Sequence, residues 1–193
     1  MSKYLIIYAH PTHDGHHGYF LKILTEKLQA QKADLEIIDL YALKYDPILS
    51  AAELYATGEK KKVDAQNKIF QDKITAVDRL VFIYPTWWQN MPAILKGFVD
   101  RVFVSGFGFV YHNGLPVGLL KHKKAAIFSA TGGPRWFTHF LTGDFATKTL
   151  AKYVLKFCGL SAKGFSIGSA RTMNDQSRLK MDKVANKILT YLA

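Results

Sequence analysis

Four histidines fall within eight residues. His10, His13, His16 and His17 alternate with Thr12, Asp14, Gly15 and Gly18 in the stretch HPTHDGHHG. Imidazole and hydroxyl groups donate hydrogen bonds, and glycine lets a backbone come close to an anion. Strand-forming residues precede the stretch and helix-period residues follow it. The histidines therefore stand where a helix presents its free N–H groups, which is the position of a phosphate site. A metal site is the weaker reading. The spacings do not set three of the four on one side of a helix, and no H-E-x-x-H pattern is present, so no metal is expected. The G-x-G-x-x-G of nicotinamide-type Rossmann domains and the Walker motif are both missing after this strand.

A second stretch, YPTWWQNMPAILKGF at 84–98, sets Trp87 and Trp88 side by side between strand-formers and helix-formers. Pro85 ends the strand and Pro92 opens the helix, so residues 86–91 are expected to form a tight, exposed turn. Neighbouring side chains point in different directions. One indole is expected to stack on a flat ligand ring and the other to pack under the loop, while backbone groups of the turn read the ring's polar edge. A third stretch, Thr131-Gly132-Gly133, offers a hydroxyl and two small residues where a backbone can pass close to a ligand. Together the three imply one ligand with a phosphate at one end and a planar ring at the other.

These loops need a frame. Five strand-like runs are legible: Tyr4–Ala9, Leu35–Leu40, Leu80–Tyr84, Ala125–Ala130 and Lys163–Ile167. The first, third and fourth are almost continuously apolar, as befits strands covered on both faces. Helix-period segments alternate with them at Tyr19–Gln31, Val63–Val77, Pro92–Phe103, Thr147–Phe157 and Asp175–Leu192. Alternation of this kind predicts a three-layer α/β sandwich with right-handed crossovers, in a single domain over residues 1–193. Such sheets bind ligands beyond the carboxyl ends of their strands, and the three odd stretches follow strands one, three and four.

Composition narrows the class. With 49% hydrophobic and 13% aromatic residues the chain can bury a core. The one cysteine, Cys158, excludes an internal disulfide and a Cys-based zinc site, and a reducing cytoplasm is the expected setting. MSKYLIIYA carries no cleavage-like pattern and no apolar run is long enough to span a membrane. The net charge of +11 implies attraction to anions, but the lysines, among them Lys60-Lys61-Lys62, are scattered. GFGFV at 106–110 lacks the basic first residue of an RNA-binding strand motif, so no nucleic-acid partner is expected.

YAHPTHDGHHGYFLKIL, DLYALKYDPILS, RLVFIYPTWWQNMPAILKGFVDRVFVSGFGFVY and SATGG resemble the NAD(P)H:quinone oxidoreductase family of flavodoxin-like flavoproteins, over residues 3–133. The resemblance implies a flavodoxin-like fold with a five-stranded parallel sheet of order 2-1-3-4-5, a homodimer, and a bound flavin, FAD with FMN as the alternative. It also implies two-electron reduction of quinones, with NAD(P)H as co-substrate and ping-pong hydride transfer. Carried over by position, it assigns His10, His16, His17 and Gly18 to the flavin phosphates, and Pro85, Thr86, Trp87, Trp88 and Gln89 to the ring. Ala130, Thr131, Gly132 and Gly133 fall to the ring's polar edge. Phe109 and Tyr111 match aromatic positions that close a second subunit's substrate pocket, and His139 stands where a proton donor is wanted. Family members commonly carry Ser-Phe-Asn where this chain has His16-His17-Gly18, so its side-chain contacts to phosphate differ. Two other roles stay open: an ancillary flavoprotein regulating a potassium-efflux type membrane transporter, and an electron carrier.

Overall fold

The computed structural model describes residues 2–54, 63–141 and 143–193. Its centre is a five-stranded parallel sheet built from β1 (Lys3–Tyr8), β2 (Asp34–Asp39), β3 (Arg79–Pro85), β6 (Lys124–Ala130) and β7 (Ser161–Ile167). The order across the sheet is β2-β1-β3-β6-β7, all parallel. With the strands of this sheet numbered by themselves, that is the expected 2-1-3-4-5. The continuous apolar runs of β1, β3 and β6 are explained at once, because almost every residue in them is buried. Edge strand β2 intersperses charged residues instead, and β7 is small, polar and only partly buried.

Two hydrophobic layers sandwich the sheet. On one face α1 (Gly15–Ala30) and α5 (Asp175–Leu192) set Phe20, Leu24, Leu28, Met181, Ala185 and Ile188 against Tyr4, Ile6, Tyr8 and Phe128. On the other, α2 (Ala65–Ala76) and α3 (Ala93–Val102) pack Phe70, Ile74, Leu95 and Phe98 against Leu5, Ile7, Phe82 and Ile127. That face is completed by α4 (Phe145–Lys148) and the π-helical segment Thr149–Leu155 that continues it. Caps fix several helix starts: the Asp64 carboxylate accepts the Gln66 N–H at 2.9 Å, and Asn174 and Ser177 cap α5 reciprocally.

Three features depart from the sequence expectation. The helix expected from Tyr19 begins at Gly15, so His16 and His17 belong to α1 and are buried. The expected Thr147–Phe157 helix begins at Phe145 and adopts π geometry over most of its length. A hairpin goes unannounced: β4 (Phe109–His112) pairs antiparallel with β5 (Leu115–Gly118) through a two-residue turn at Asn113-Gly114, both with positive φ. Lys60-Lys61-Lys62 lie outside the described residues. Among the described residues no helix is long and apolar enough to cross a membrane.

Candidate functional site

Sheet register brings the loops together. Pro85 pairs with Ala130, the Thr86 N–H donates to the Ala130 carbonyl at 3.0 Å, and the Thr86 and Ser129 hydroxyls bond at 2.8 Å. On one side Ala9 N–H donates to the Ile83 carbonyl; on the other Thr131 N–H donates to the Ile167 carbonyl. The turns beginning at His10, Thr86 and Thr131 thus leave adjacent strands at one carboxyl rim.

The His10–Asp14 loop is braced. Tyr8 Oη donates to the Thr12 carbonyl at 2.7 Å, and His10 Nδ1 lies 2.7 Å from that carbonyl. His13 stacks on Tyr8 and holds the Asp39 carboxylate at 2.6 Å; the same carboxylate accepts N–H groups of Tyr41 and Ala42. Gly18 is the hinge of this packing, because a Cβ there would sit 1.6 Å from the His13 carbonyl oxygen. The loop therefore lies directly on the first turn of α1.

His16 and His17 occupy that first turn, and each keeps a buried Nε2 without a hydrogen-bond partner. His17 stacks on His10 at 4.9 Å and meets Phe128 edge-on at 6.0 Å. Burial, reinforced by the neighbouring His10 and His16, pushes its pKa down to about 3 against a backbone hydrogen bond with Tyr84 that works the other way. Burial lowers His16 as well. Both imidazoles are neutral near pH 7. A buried polar atom left unpaired costs about 1–3 kcal/mol, so two of them in adjacent residues of the first turn of α1 are an unusual burden for the fold to carry.

The tryptophan turn is strained. Trp87 and Asn90 exchange both backbone bonds, at 3.0 and 2.9 Å, and the two residues between them, Trp88 and Gln89, have φ of 49° and 60°. Left-handed backbone costs a non-glycine residue about 1–2 kcal/mol. The Trp88 side chain recovers none of it by packing, being 100% exposed, while Trp87 is 43% exposed. Trp88 thus has no packing role in this chain, while Trp87 is more than half covered.

The Thr131–Gly133 turn presents bare backbone. A Cβ at Gly133 would meet nothing within 4 Å, and one at Gly132 would only touch the Arg171 side chain. Neither glycine has a positive φ. Chain packing and backbone conformation thus leave the Gly133 side open.

Two residues assigned by position lie differently. Tyr111, on β4, borders a groove of about 350 Å³ with Phe109, Phe103, Tyr153 and Phe157, and no rim residue lines it. His139 sits beyond the Gly133 turn in the π-helical segment Phe137–Leu141, exposed, with its ring 4.9 Å from Phe140. Sequence reading missed a groove of about 610 Å³ beside the start of α1, lined by Asp14, Gly15, Tyr19, Lys22, Met173 and Arg178. Arg178 lies over the Tyr19 ring at 5.0 Å. Met173 and Arg178 are far in the chain from Asp14–Lys22 and carry no motif of their own. Among the described residues no group of three or more His, Cys, Asp or Glu side chains is placed to hold a metal ion.

The profile of a family described as flavodoxin-like fold matches residues 2–192. This chain belongs to that family. A relative, the uncharacterized NAD(P)H oxidoreductase of Haemophilus influenzae, is 32% identical over 187 residues, covering 95% of this chain and 92% of its own. The ribosyldihydronicotinamide dehydrogenase [quinone] of Rattus norvegicus is 29% identical over 202 residues, covering 93% and 87%. A crystal structure from Streptococcus mutans superposes with a TM-score of 0.85 at 34% identity, covering 97% of this chain and 99% of that one. An FMN-dependent NADH-azoreductase of Bacillus anthracis, solved in complex with FMN, shares the flavodoxin-like fold at 20% identity and a TM-score of 0.75, with both chains covered in full.

Proposed function

We propose that this chain, acting as a single domain in the cytoplasm, is a flavin-dependent NAD(P)H:quinone oxidoreductase in which donor and quinone use one slot in turn. The observation that carries the reading is the rim itself: an orphaned pair of buried imidazoles, a strained turn exposing an indole, and an open glycine turn on adjacent strand ends. The residues fit a flavin, and the names of the relatives at 32% and 29% identity agree with that chemistry.

A flavin in that place would supply the capacity to accept and return a hydride. The chain supplies the rest. His10, the N–H groups at the start of α1, and the side chains of His16 and His17 would hold phosphate oxygens, with Gly18 keeping the loop pressed to the helix. A neutral imidazole protonated at Nε2 donates a hydrogen bond without the desolvation cost of a buried cation. Pro85, Thr86, Trp87, Trp88 and Gln89 would form the wall for a planar ring. The N–H of Trp88, not used in the turn's own pair of bonds, would serve the ring's polar edge together with the backbone of Ala130, Thr131, Gly132 and Gly133. His139 would be the group that exchanges a proton with the acceptor. The groove of about 610 Å³ gives room beyond the phosphate loop for an adenylate, so we infer FAD rather than FMN. Tyr111 belongs to a contact with a second copy, in which the groove shared with Tyr153 and Phe157 is covered.

Anaerobic addition of NADPH to the yellow holoprotein should abolish its visible absorption, and a quinone should restore it. Absorption that persists with NADPH and NADH alike ends the enzyme reading. The mass of the cofactor released by heating distinguishes FAD from FMN.

A further inference from the structure

A groove of about 320 Å³ opens between the carboxyl end of β7 and α5, lined by Arg135, Ser166, Ser169, Lys180, Lys183 and Lys187. The three lysines recur at steps of three and four, which stacks them on one side of the helix. Asp182 lies on the opposite side and is engaged by Lys27 at 2.9 Å and by Asn186. Among the described residues none of the four cations is within ion-pair distance of a carboxylate, whereas Lys27, Lys68, Lys73 and Lys96 each have one. The acid approaching this region is Asp144, which shares the Ser166 hydroxyl with Arg135 at 3.5 and 3.4 Å. Unpaired lysines on a flat helix face are ordinarily just solvated. Here they ring a concavity that also contains two hydroxyls.

The groove is fastened to the rim. Ser169 N–H donates to the Gly133 carbonyl at 2.7 Å and Ala170 N–H to the Thr131 carbonyl at 3.0 Å. Gly168 lies so close to Arg135 that a Cβ would fall 2.3 Å from its backbone nitrogen. The loop after β7 and the Thr131–Arg135 turn therefore form one block. The ends of β3 and β7 are separated only by β6, about 10 Å across the sheet at the usual strand spacing. A ligand with its reactive ring at the tryptophan turn and its phosphates a sugar or two away spans such a distance.

We propose that this groove holds the phosphates of the reduced dinucleotide donor and selects NADPH over NADH through the 2′-phosphate. The proposal rests on the reductase reading above and adds the donor. Four like charges in one concavity repel one another, and a dianionic phosphate relieves that repulsion while accepting their hydrogen bonds.

The test uses the holoprotein and the double variant Lys183→Ala/Lys187→Ala with three donors: NADPH, NADH and phosphate-free dihydronicotinamide riboside. The variant should raise KM for NADPH about tenfold, as expected for loss of charge-assisted hydrogen bonds partly screened by water, and change NADH by less. KM for the riboside should not move. Binding of 2′,5′-ADP, followed by calorimetry, should weaken by the same factor. An unchanged KM for NADPH, or an equal rise for the riboside, overturns the proposal. If no donor reduces the protein but 2′,5′-ADP binds and responds to the substitutions, the anion groove stands and the reductase reading fails. If all donors reduce it and 2′,5′-ADP ignores the lysines, the reverse holds.

Discussion

Replacing His17 by phenylalanine should change how stability depends on pH. In the folded protein the His17 pKa lies at about 3, against an ordinary 6.5 once the chain unfolds. Between those values the unfolded chain holds a proton that the folded chain refuses, so stability rises with pH across the window and is lost as pH falls through it. Integrated from about pH 7.5 down to about pH 5, this one residue removes about 2 kcal/mol. His16, shifted the same way, adds to the loss in both proteins. Phenylalanine keeps the ring between His10 and Phe128 and removes both the titration and the orphaned Nε2. Urea unfolding of the cofactor-free proteins at the two pH values gives four free energies. The difference of differences should be about 2 kcal/mol, with the wild type more acid-sensitive. Carboxylate titrations common to both proteins cancel. Equal losses would show that His17 titrates normally in the folded state, and the argument for a neutral, ligand-directed imidazole would fall with it.

Three further outcomes follow from the geometry. Trp88→Gly should stabilise the cofactor-free protein by about 1 kcal/mol, since glycine tolerates the left-handed turn and the exposed indole has no packing to lose; the same change should weaken flavin binding, measured by fluorescence titration. Gly18→Ala should cost about 3 kcal/mol or more in denaturant unfolding, because the obstructing atoms are the His13 backbone rather than a movable side chain. Glu53→Gln should cost about 3–5 kcal/mol, because the Glu53 carboxylate and the Arg101 guanidinium, 3.0 Å apart, are both nearly enclosed. Burial works against the Glu53 charge, but the Arg101 and Ser50 hydrogen bonds outweigh it and hold its pKa below the usual range. That contribution is present above the ordinary carboxylate pKa and fades in acid.

Much of the frame can be read without coordinates, for a physical reason. A strand buried on both faces has no choice but apolar residues, so Tyr4–Tyr8, Leu80–Tyr84 and Ala125–Ala130 declare themselves. Edge strand β7 was legible only over Lys163–Ile167, because Ser161 and Ala162 extend it with no apolar run. The β4–β5 hairpin has the Asn-Gly turn that should have revealed it. Its strands, however, are half-exposed, Pro116 interrupts one of them, and Gly118 is there to meet the backbone of Gly159. The start of α1 escaped notice because His16 and His17 count as polar in any apolar stripe, although the fold buries them. The three rim loops were legible because they break the pattern around them. The α1 groove and the β7–α5 groove were not, since Arg178, Arg135 and Lys183 meet their neighbours only through tertiary packing.

The histidines at the head of α1 belong to one wing of the sandwich, and the tryptophan turn leads into α3 on the other. A molecule gripped at both places straddles the central sheet like a clasp over the spine of a book. Each wing then resists peeling only as firmly as the clasp is shut. Stripped of that occupant, the two halves should breathe independently at their open ends, and amide protons in the first turns of α1 and α3 should exchange sooner than those in the middle of β1 and β3.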